Sequence, residues 1–316
     1  MSNNFSLMWY NVENLYDTAG DPKTTNDDFT PTGHYHWTKK RYNEKVTKLT
    51  QVIHNIVKPD FPDIIGLAEV ENDTVLMSLV NKMRENGMPD YSFVHYNSPD
   101  QRGIDVAMIY NKKSFTVQES TPISVHLPGI KERTRDILYV KGAMKNEEIL
   151  HLFFIHFPSR NEGTEETEPR RCFATNILKE NIDKILCENE QSNIAILGDF
   201  NDTPNNKSIA EVLNAQKLFN NPQPDKLYNL LYPKIDKGLG TIYYYGWLLF
   251  DQIIVSGDLL NNPKIECTAA HADIFNPHYL LYFGQNGTVQ PNRTYHRRYI
   301  GGYSDHLPVF LKMKLK

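Results

Sequence analysis

The run Asn193-Ile194-Ala195-Ile196-Leu197-Gly198-Asp199-Phe200-Asn201-Asp202-Thr203-Pro204 constrains this chain more than any other stretch. Residues 194–197 are continuously apolar and rich in branched side chains, the pattern of a strand buried on both faces. A glycine and a group of short polar side chains then stop it. Gly198 is expected to let the backbone turn, which crowds Asp199, Asn201 and Asp202 at the strand's C-terminal end. In open α/β sheets that rim is where ligands bind. An Asx turn closing a strand explains one such motif by itself. It does not explain the same grammar repeated along a chain.

The grammar does repeat. Residues 5–10 read as a strand ending at Asn11, and residues 63–68 form an apolar run into Glu69. A carboxylate at the end of such a strand loses hydration unless a cation or donor meets it. Glu71 shares the face of Glu69 by the two-residue period and is its rival as a ligand. Residues 149–155 run into His156, residues 250–256 open a strand with Asp251, and the last strand follows Ser304-Asp305-His306-Leu307-Pro308. Asp105 is an unusual residue inside the strand expected at 104–110. Between these lie helices expected at 41–57, stopped by Pro59, and at 73–86. A long helix is expected after the charged stretch 161–171, with a short one at 208–213. Residues 17–38 are turn-rich, with His34 and His36 expected to be solvated. Residues 220–303 are the least regular part, rich in Tyr, Asn, Pro and Gly.

Composition excludes several alternatives. The 40% hydrophobic and 23% charged residues are ordinary for a globular protein, and no 18-residue apolar run exists to span a membrane. The chain runs from Met1 directly into an apolar strand without a signal-peptide pattern, so it is expected to be cytoplasmic, or secreted or periplasmic if a leader was removed. Cys172, Cys187 and Cys267 are too few for a disulfide framework. The first two, about 22 Å apart on one expected helix, cannot bridge each other. The net charge of −4 leaves an anionic substrate open, because a local field can oppose it. Ser304 beside His306 has no G-x-S-x-G elbow to make it a nucleophile.

Strand ends bearing Asn, Glu, Asp and His, with few thiols, suit a hard divalent cation and general acid–base groups. The set Asn11, Glu69-Val70, His156, Gly198-Asp199-Phe200-Asn201, Asp251 and Ser304-Asp305-His306-Leu307-Pro308 resembles the endonuclease/exonuclease/phosphatase superfamily, in order and over nearly the whole chain. The resemblance implies a four-layer α/β sandwich: two mixed sheets packed face to face with helices outside. It also implies one domain over residues 1–316, with 220–303 facing the substrate.

By the same resemblance, Glu69 is the principal Mg²⁺ ligand, with Asn11 beside it and Asp305 a further metal or water ligand; Mn²⁺ is an alternative metal. His306 is oriented and charged by Asp251. Asp199 and Asn201 position the attacking water and bind phosphate. His156 acts with a carboxylate, for which Asp105 is the candidate. Arg102, Arg160 and Arg170 are expected as phosphate clamps.

The expected activity is metal-dependent phosphoester hydrolysis of the phosphodiesterase or endonuclease kind. Phosphomonoesterase or lipid or inositol phosphate phosphatase activity is the alternative, and a non-catalytic phosphate-binding relative a further one. Nucleic acid is a possible substrate, although Lys39-Lys40-Arg41 and His296-Arg297-Arg298 are the only dense basic clusters. No obligate protein partner is evident.

Overall fold

The computed structural model describes residues 3–127, 129, 134–218 and 221–316. In chain order its first elements are β1 (Asn4–Leu15), α1 (Lys39–Asn55), β2 (Ile64–Val70), α2 (Asp73–Glu85), β3 (Tyr91–His95), β4 (Asp105–Asn111), β5 (Phe115–Ile123), β6 (Ile137–Met144), β7 (Ile149–His156), α3 (Thr164–Glu188) and β8 (Ile194–Asp199). Later strands that matter here are Asp251–Ser256 and Val309–Leu315.

Alternation along the central strands produces the layering. On β8, Ala195 and Leu197 join the larger core, while Ile194 and Ile196 face a second core beneath α3. On β7 the split is Leu152 and Phe154 against Phe153 and Ile155. A strand that must bury both faces becomes continuously apolar, as residues 194–197 are.

The first sheet runs Ile265–Glu266, Val309–Leu315, β1, β2, β4, β3, with β1 and β2 parallel. The second runs β5, β6, β7, β8, Asp251–Ser256, Leu227–Asn229, Ala215–Lys217, with β7 and β8 parallel. Their inner faces pack together. Leu49, Val52 and Ile53 of α1 and Leu76 and Leu79 of α2 cover the first sheet; Ala174, Leu178 and Ile182 of α3 cover the second. This is the expected α/β sandwich of two mixed sheets flanked by helices. At Gly66 the sheets approach so closely that a Cβ would lie 2.4 Å from Phe154 Cδ1 and 2.7 Å from Trp9 Cε3.

Three expectations change. Gly198 does not turn the chain: it lies inside β8, where a Cβ would meet Ile155 Cγ1 at 2.0 Å, so its role is close strand approach. The turn comes at Asn201, whose φ is 50°. Strands β5 and β6 are not expected from the sequence; β5 is a mostly exposed strand at the sheet edge, while β6 alternates between buried and half-buried positions. Helix α3 starts at Thr164 and takes in much of the charged stretch before it, placing Cys172 and Cys187 on one helix.

Within 221–303, regular elements other than Asp251–Ser256 are strands of two or three residues and helices of five or fewer; residue 220 lies outside the described residues. Among the described residues no helix is long and apolar enough to cross a membrane.

Candidate active site

Two parallel pairs, one in each sheet, bring the strand ends together. Asn11 on β1 pairs with Ala68, one residue before Glu69. His156 pairs with Asp199 across β7 and β8, and Asp251 pairs with Asp199 from the other side. Two hydrogen bonds then cross between the sheets: Asn11 Nδ2 donates to Asp199 Oδ2 at 3.1 Å, and Trp9 Nε1 to Asp251 Oδ1 at 2.8 Å.

Both first-sheet strands are bulged here, between Asn11 and Leu15 on β1 and at Glu69 on β2. Glu13, Asn14, Glu69 and Asn201 all have φ between 50° and 65°, a left-handed region rare for residues other than glycine. Bulges and strained backbone re-aim side chains, and here they turn four polar residues toward one cleft of about 880 Å³.

His306 sits between two buried carboxylates. Its Nδ1 lies 2.6 Å from Asp251 Oδ2, and its Nε2 3.7 Å from Asp199 Oδ2. Burial disfavours its charge, but Asp251 and then Asp199 outweigh burial and hold its pKa well above the ordinary value. Asp199 is pushed up to about 6, chiefly by burial, with His306 opposing and Asp251 adding to the rise. Its Oδ1 accepts from the Asn201 N–H at 2.9 Å. His156 differs from His306. Burial, then Arg135 and Arg102, press its pKa well below the ordinary value, so it is neutral. Its Nε2 lies 3.5 Å from Asp199 Oδ2, and its Nδ1 is buried without a hydrogen-bond partner among the described residues.

Glu69 sits opposite. Its Oε2 accepts from the Asn14 N–H at 2.9 Å and pairs with Arg102 Nη2 at 3.2 Å. Burial works to raise its pKa, yet Arg102 and His306 among others hold it below the usual carboxylate value. Its Oε1 is 3.9 Å from His156 Nε2, too far for a hydrogen bond. A buried ionised carboxylate with one oxygen so loosely met fits a hard cation. Glu71 turns elsewhere, accepting from the Asp17 N–H and Asn26 Nδ2. Asp199, Asp251 and His306 also bring ligand atoms within 4.8 Å of one another. Both oxygens of Asp251 are already taken by Trp9 and His306, which leaves that group poorly suited to hold a cation and arranged as a hydrogen-bonded chain.

The cleft is lined by Asn11, Glu69, Arg102, His156, Arg160, Asp199, Asn201, Asp305 and His306, so nine of the twelve site residues expected from sequence line it. Asp251 is fully buried behind His306. Two are corrected. Asp105 is not the partner of His156: β4 belongs to the first sheet, and Asp105 there holds His95 Nε2 at 3.1 Å and the Ser98 N–H at 2.8 Å. The groups against the His156 turn are the buried Arg135 guanidinium, donating to the carbonyls of His156 and Phe157, and Asp100, which Arg135 pairs with.

Arg170 is no clamp. It does not line the cleft, and it forks onto Glu162 at 2.8 Å through both Nη atoms. Arg160 does line it, braced on Asp202 Oδ1 at 2.5 Å and stacked over Phe250.

Sequence reasoning missed Glu13, Asn14 and Arg293, which also line the cleft. Glu13 carried a readable signal, since it follows Asn11 by one strand period. Arg293, in the irregular segment, carried none.

The sequence profile described as "Endonuclease/Exonuclease/phosphatase family" matches residues 6–315. Solved structures with a similar fold include an endonuclease/exonuclease/phosphatase family protein from Bacteroides thetaiotaomicron, 12% identical with a TM-score of 0.60, covering 99% of this chain and 98% of that one. A humanized D. rerio TDP2 is 16% identical with a TM-score of 0.60, covering 99% of each chain. A mannosyl-6-phosphatase from Bacteroides thetaiotaomicron is 14% identical with a TM-score of 0.57, again covering 99% of each. No curated protein sequence matches. With a family profile spanning 6–315 and these strand ends meeting in one cleft, the chain belongs to the endonuclease/exonuclease/phosphatase family.

Proposed function

We propose that this protein hydrolyses phosphoesters, with a divalent cation, Mg²⁺ or Mn²⁺, at Glu69. The observation that carries the reading is the buried His306–Asp251 pair facing Asp199 across a cleft that also holds Glu69 and Asn11. A module that only binds phosphate has no use for an acid–base relay. The solved structures of similar fold include a TDP2 and a mannosyl-6-phosphatase, which supports a phosphoester substrate.

Glu69 would hold the cation, with the Asn11 carbonyl beside it; the cation supplies charge neutralisation at the phosphate. The rest belongs to the chain. Asp199, with its pKa near 6, accepts the proton of the attacking water close to neutral pH. The new P–O bond forms as the bond to the leaving oxygen breaks. The His306 imidazolium, charged by Asp251, meets the negative charge that accumulates on the phosphoryl oxygens. Asn201 holds the turn by donating to the Phe157 carbonyl at 3.0 Å, keeping Asp199 aimed. His156, neutral, offers a hydrogen bond to the leaving oxygen. Arg102 and Arg160 line the cleft as phosphate-binding cations.

Beyond this centre the cleft is also lined by Tyr35, Arg160, Tyr243, Phe250, Arg293 and Tyr295. A cleft of about 880 Å³ has room for a phosphodiester with a group on each side of the phosphorus, and diesters are the favoured substrates. A panel of bis-p-nitrophenyl phosphate, p-nitrophenyl phosphate and plasmid DNA tests this with Mg²⁺, Mn²⁺ and EDTA. The expected result is metal-dependent hydrolysis, abolished by EDTA, with the diester preferred. Faster monoester cleavage would make the protein a phosphatase, and no hydrolysis with either metal a phosphate-binding relative.

A further inference from the structure

Behind the cleft lies a buried ionic cluster for which the proposed chemistry has no use. Glu13 is 2% exposed, yet its carboxylate is fully engaged. Oε2 accepts from the Thr294 N–H at 2.6 Å; Oε1 accepts from the Tyr295 N–H and from Arg293 Nε, each at 3.3 Å. Lys45 of α1 is equally buried. Its Nζ donates to the carbonyls of Glu13 at 3.2 Å and Tyr303 at 2.7 Å, and to Thr294 Oγ1. An ammonium has three donors, and here one goes to the end of β1 and two to residues 294 and 303. The 303 segment can run this close only because Gly302 has no Cβ, which would lie 2.2 Å from the carbonyls of Asn292 and Arg293.

The cluster therefore staples two segments more than 280 residues apart, the bulged end of β1 and the strap at 292–303. What the strap presents is Arg293. Its side chain is 37% exposed and forms part of the cleft wall. Nε is held by Glu13 and Nη2 by Asp305 at 3.0 Å, which takes two of the guanidinium's five N–H donors. A planar fork gripped on two edges is pre-organised, with donors left for an anion.

We propose that Arg293 is a substrate-anchoring cation of this site, binding the phosphate or a second anionic group beside it, and that Glu13 is the positioning residue that aims it, with Lys45 fastening both to the scaffold. The assignment rests on the phosphoester reading above but is tested without turnover. Inorganic phosphate binding, measured by calorimetry in the presence of Mn²⁺, is the probe.

Arg293→Ala, at a partly exposed position, should fold normally and weaken phosphate about 10–100-fold, the worth of one charge-assisted hydrogen bond. Glu13→Gln keeps the shape but replaces one accepting oxygen by a donor facing an N–H. It should weaken phosphate by a similar factor in the wild-type background and have little further effect on top of Arg293→Ala. With bis-p-nitrophenyl phosphate the same variants should raise KM while kcat stays within about threefold.

If Glu13→Gln does not fold, Arg293→Lys carries the test. It keeps the charge and loses the fork, so its affinity should approach that of Arg293→Ala. Wild-type phosphate affinity in Arg293→Ala overturns the anchoring role. An equal Glu13→Gln loss in both backgrounds overturns the positioning role. Wild-type protein that binds phosphate through Arg293 but cleaves nothing on the panel sinks the hydrolase reading and leaves this assignment standing.

Discussion

Asp251→Asn tests the acid–base assignment most directly. The amide is isosteric, so the 2.8 Å bond from Trp9 Nε1 can persist and the sheets need not separate. What disappears is a negative charge whose Oδ2 lies 2.6 Å from His306 Nδ1. Two unit charges about 4 Å apart at an effective dielectric of about 20 interact by about 4 kcal/mol. Asp199 stays 3.7 Å away and retains part of the effect, so the His306 pKa should fall without returning all the way to its ordinary value.

In the wild type, activity should rise with pH as Asp199 loses its proton near pH 6. It should fall only at alkaline pH, because His306 must keep a proton that it holds well above its ordinary pKa. In Asp251→Asn the alkaline limb should move down toward neutrality, and kcat/KM at pH 7 should drop by about 10²–10⁴. The assay is kcat/KM for bis-p-nitrophenyl phosphate between pH 5 and 10 with saturating Mn²⁺, confirmed by thermal melting. An alkaline limb at the wild-type pH, with less than about a tenfold loss, would refute the idea that Asp251 charges His306.

Other outcomes follow from the same geometry. Glu69→Ala should abolish calorimetric Mn²⁺ binding while Glu71→Ala leaves it intact, because Glu71 accepts from Asp17 and Asn26 away from the cleft; equal losses would place the ligand on a shared pair. On p-nitrophenyl esters, His306→Ala should cost orders of magnitude and His156→Ala far less, since a good leaving group barely needs the hydrogen bond of a neutral imidazole. The two losses should converge on an alkoxide leaving group such as a nucleotide 3′-oxygen, and a His156→Ala defect as large on the aryl ester would show that His156 binds the phosphate. Gly66→Ala should destabilise the fold by about 1–3 kcal/mol in denaturant titration through overpacking against Phe154 and Trp9; wild-type stability there would mean the sheets can part without penalty.

Much of the site was legible before any fold was built, for a physical reason. A buried strand is apolar along its length, so a polar residue at its end stands out against the run that precedes it. Asn11, Glu69, His156 and Asp199 announce themselves in this way, Asp251 stands out at the start of its apolar strand, and the structure puts these strand ends in register. The residue pattern alone left Glu69 and Glu71 open, because a two-residue period gives both the same face, and it was the family resemblance that pointed to Glu69. In the fold, the bulge at Glu69, with φ of 65°, separates them.

Apart from the His306–Asp251 pair, which the family resemblance implied, partnerships across the two sheets lay outside the sequence. Asp105 and His156 each end or begin a strand, and nothing in their spacing says that one belongs to each sheet. The same holds for Arg170, which falls on the Glu162 side of α3, and for Arg135, whose guanidinium supports the His156 turn. Local pattern determines which residues sit at strand ends, because burial and hydrogen bonding act on each strand separately. Which ends meet depends on sheet order and on straps such as 292–303, held by Lys45 and Glu13 from the other end of the chain. Those contacts exist only once the sheets have packed, so tertiary structure alone decided them.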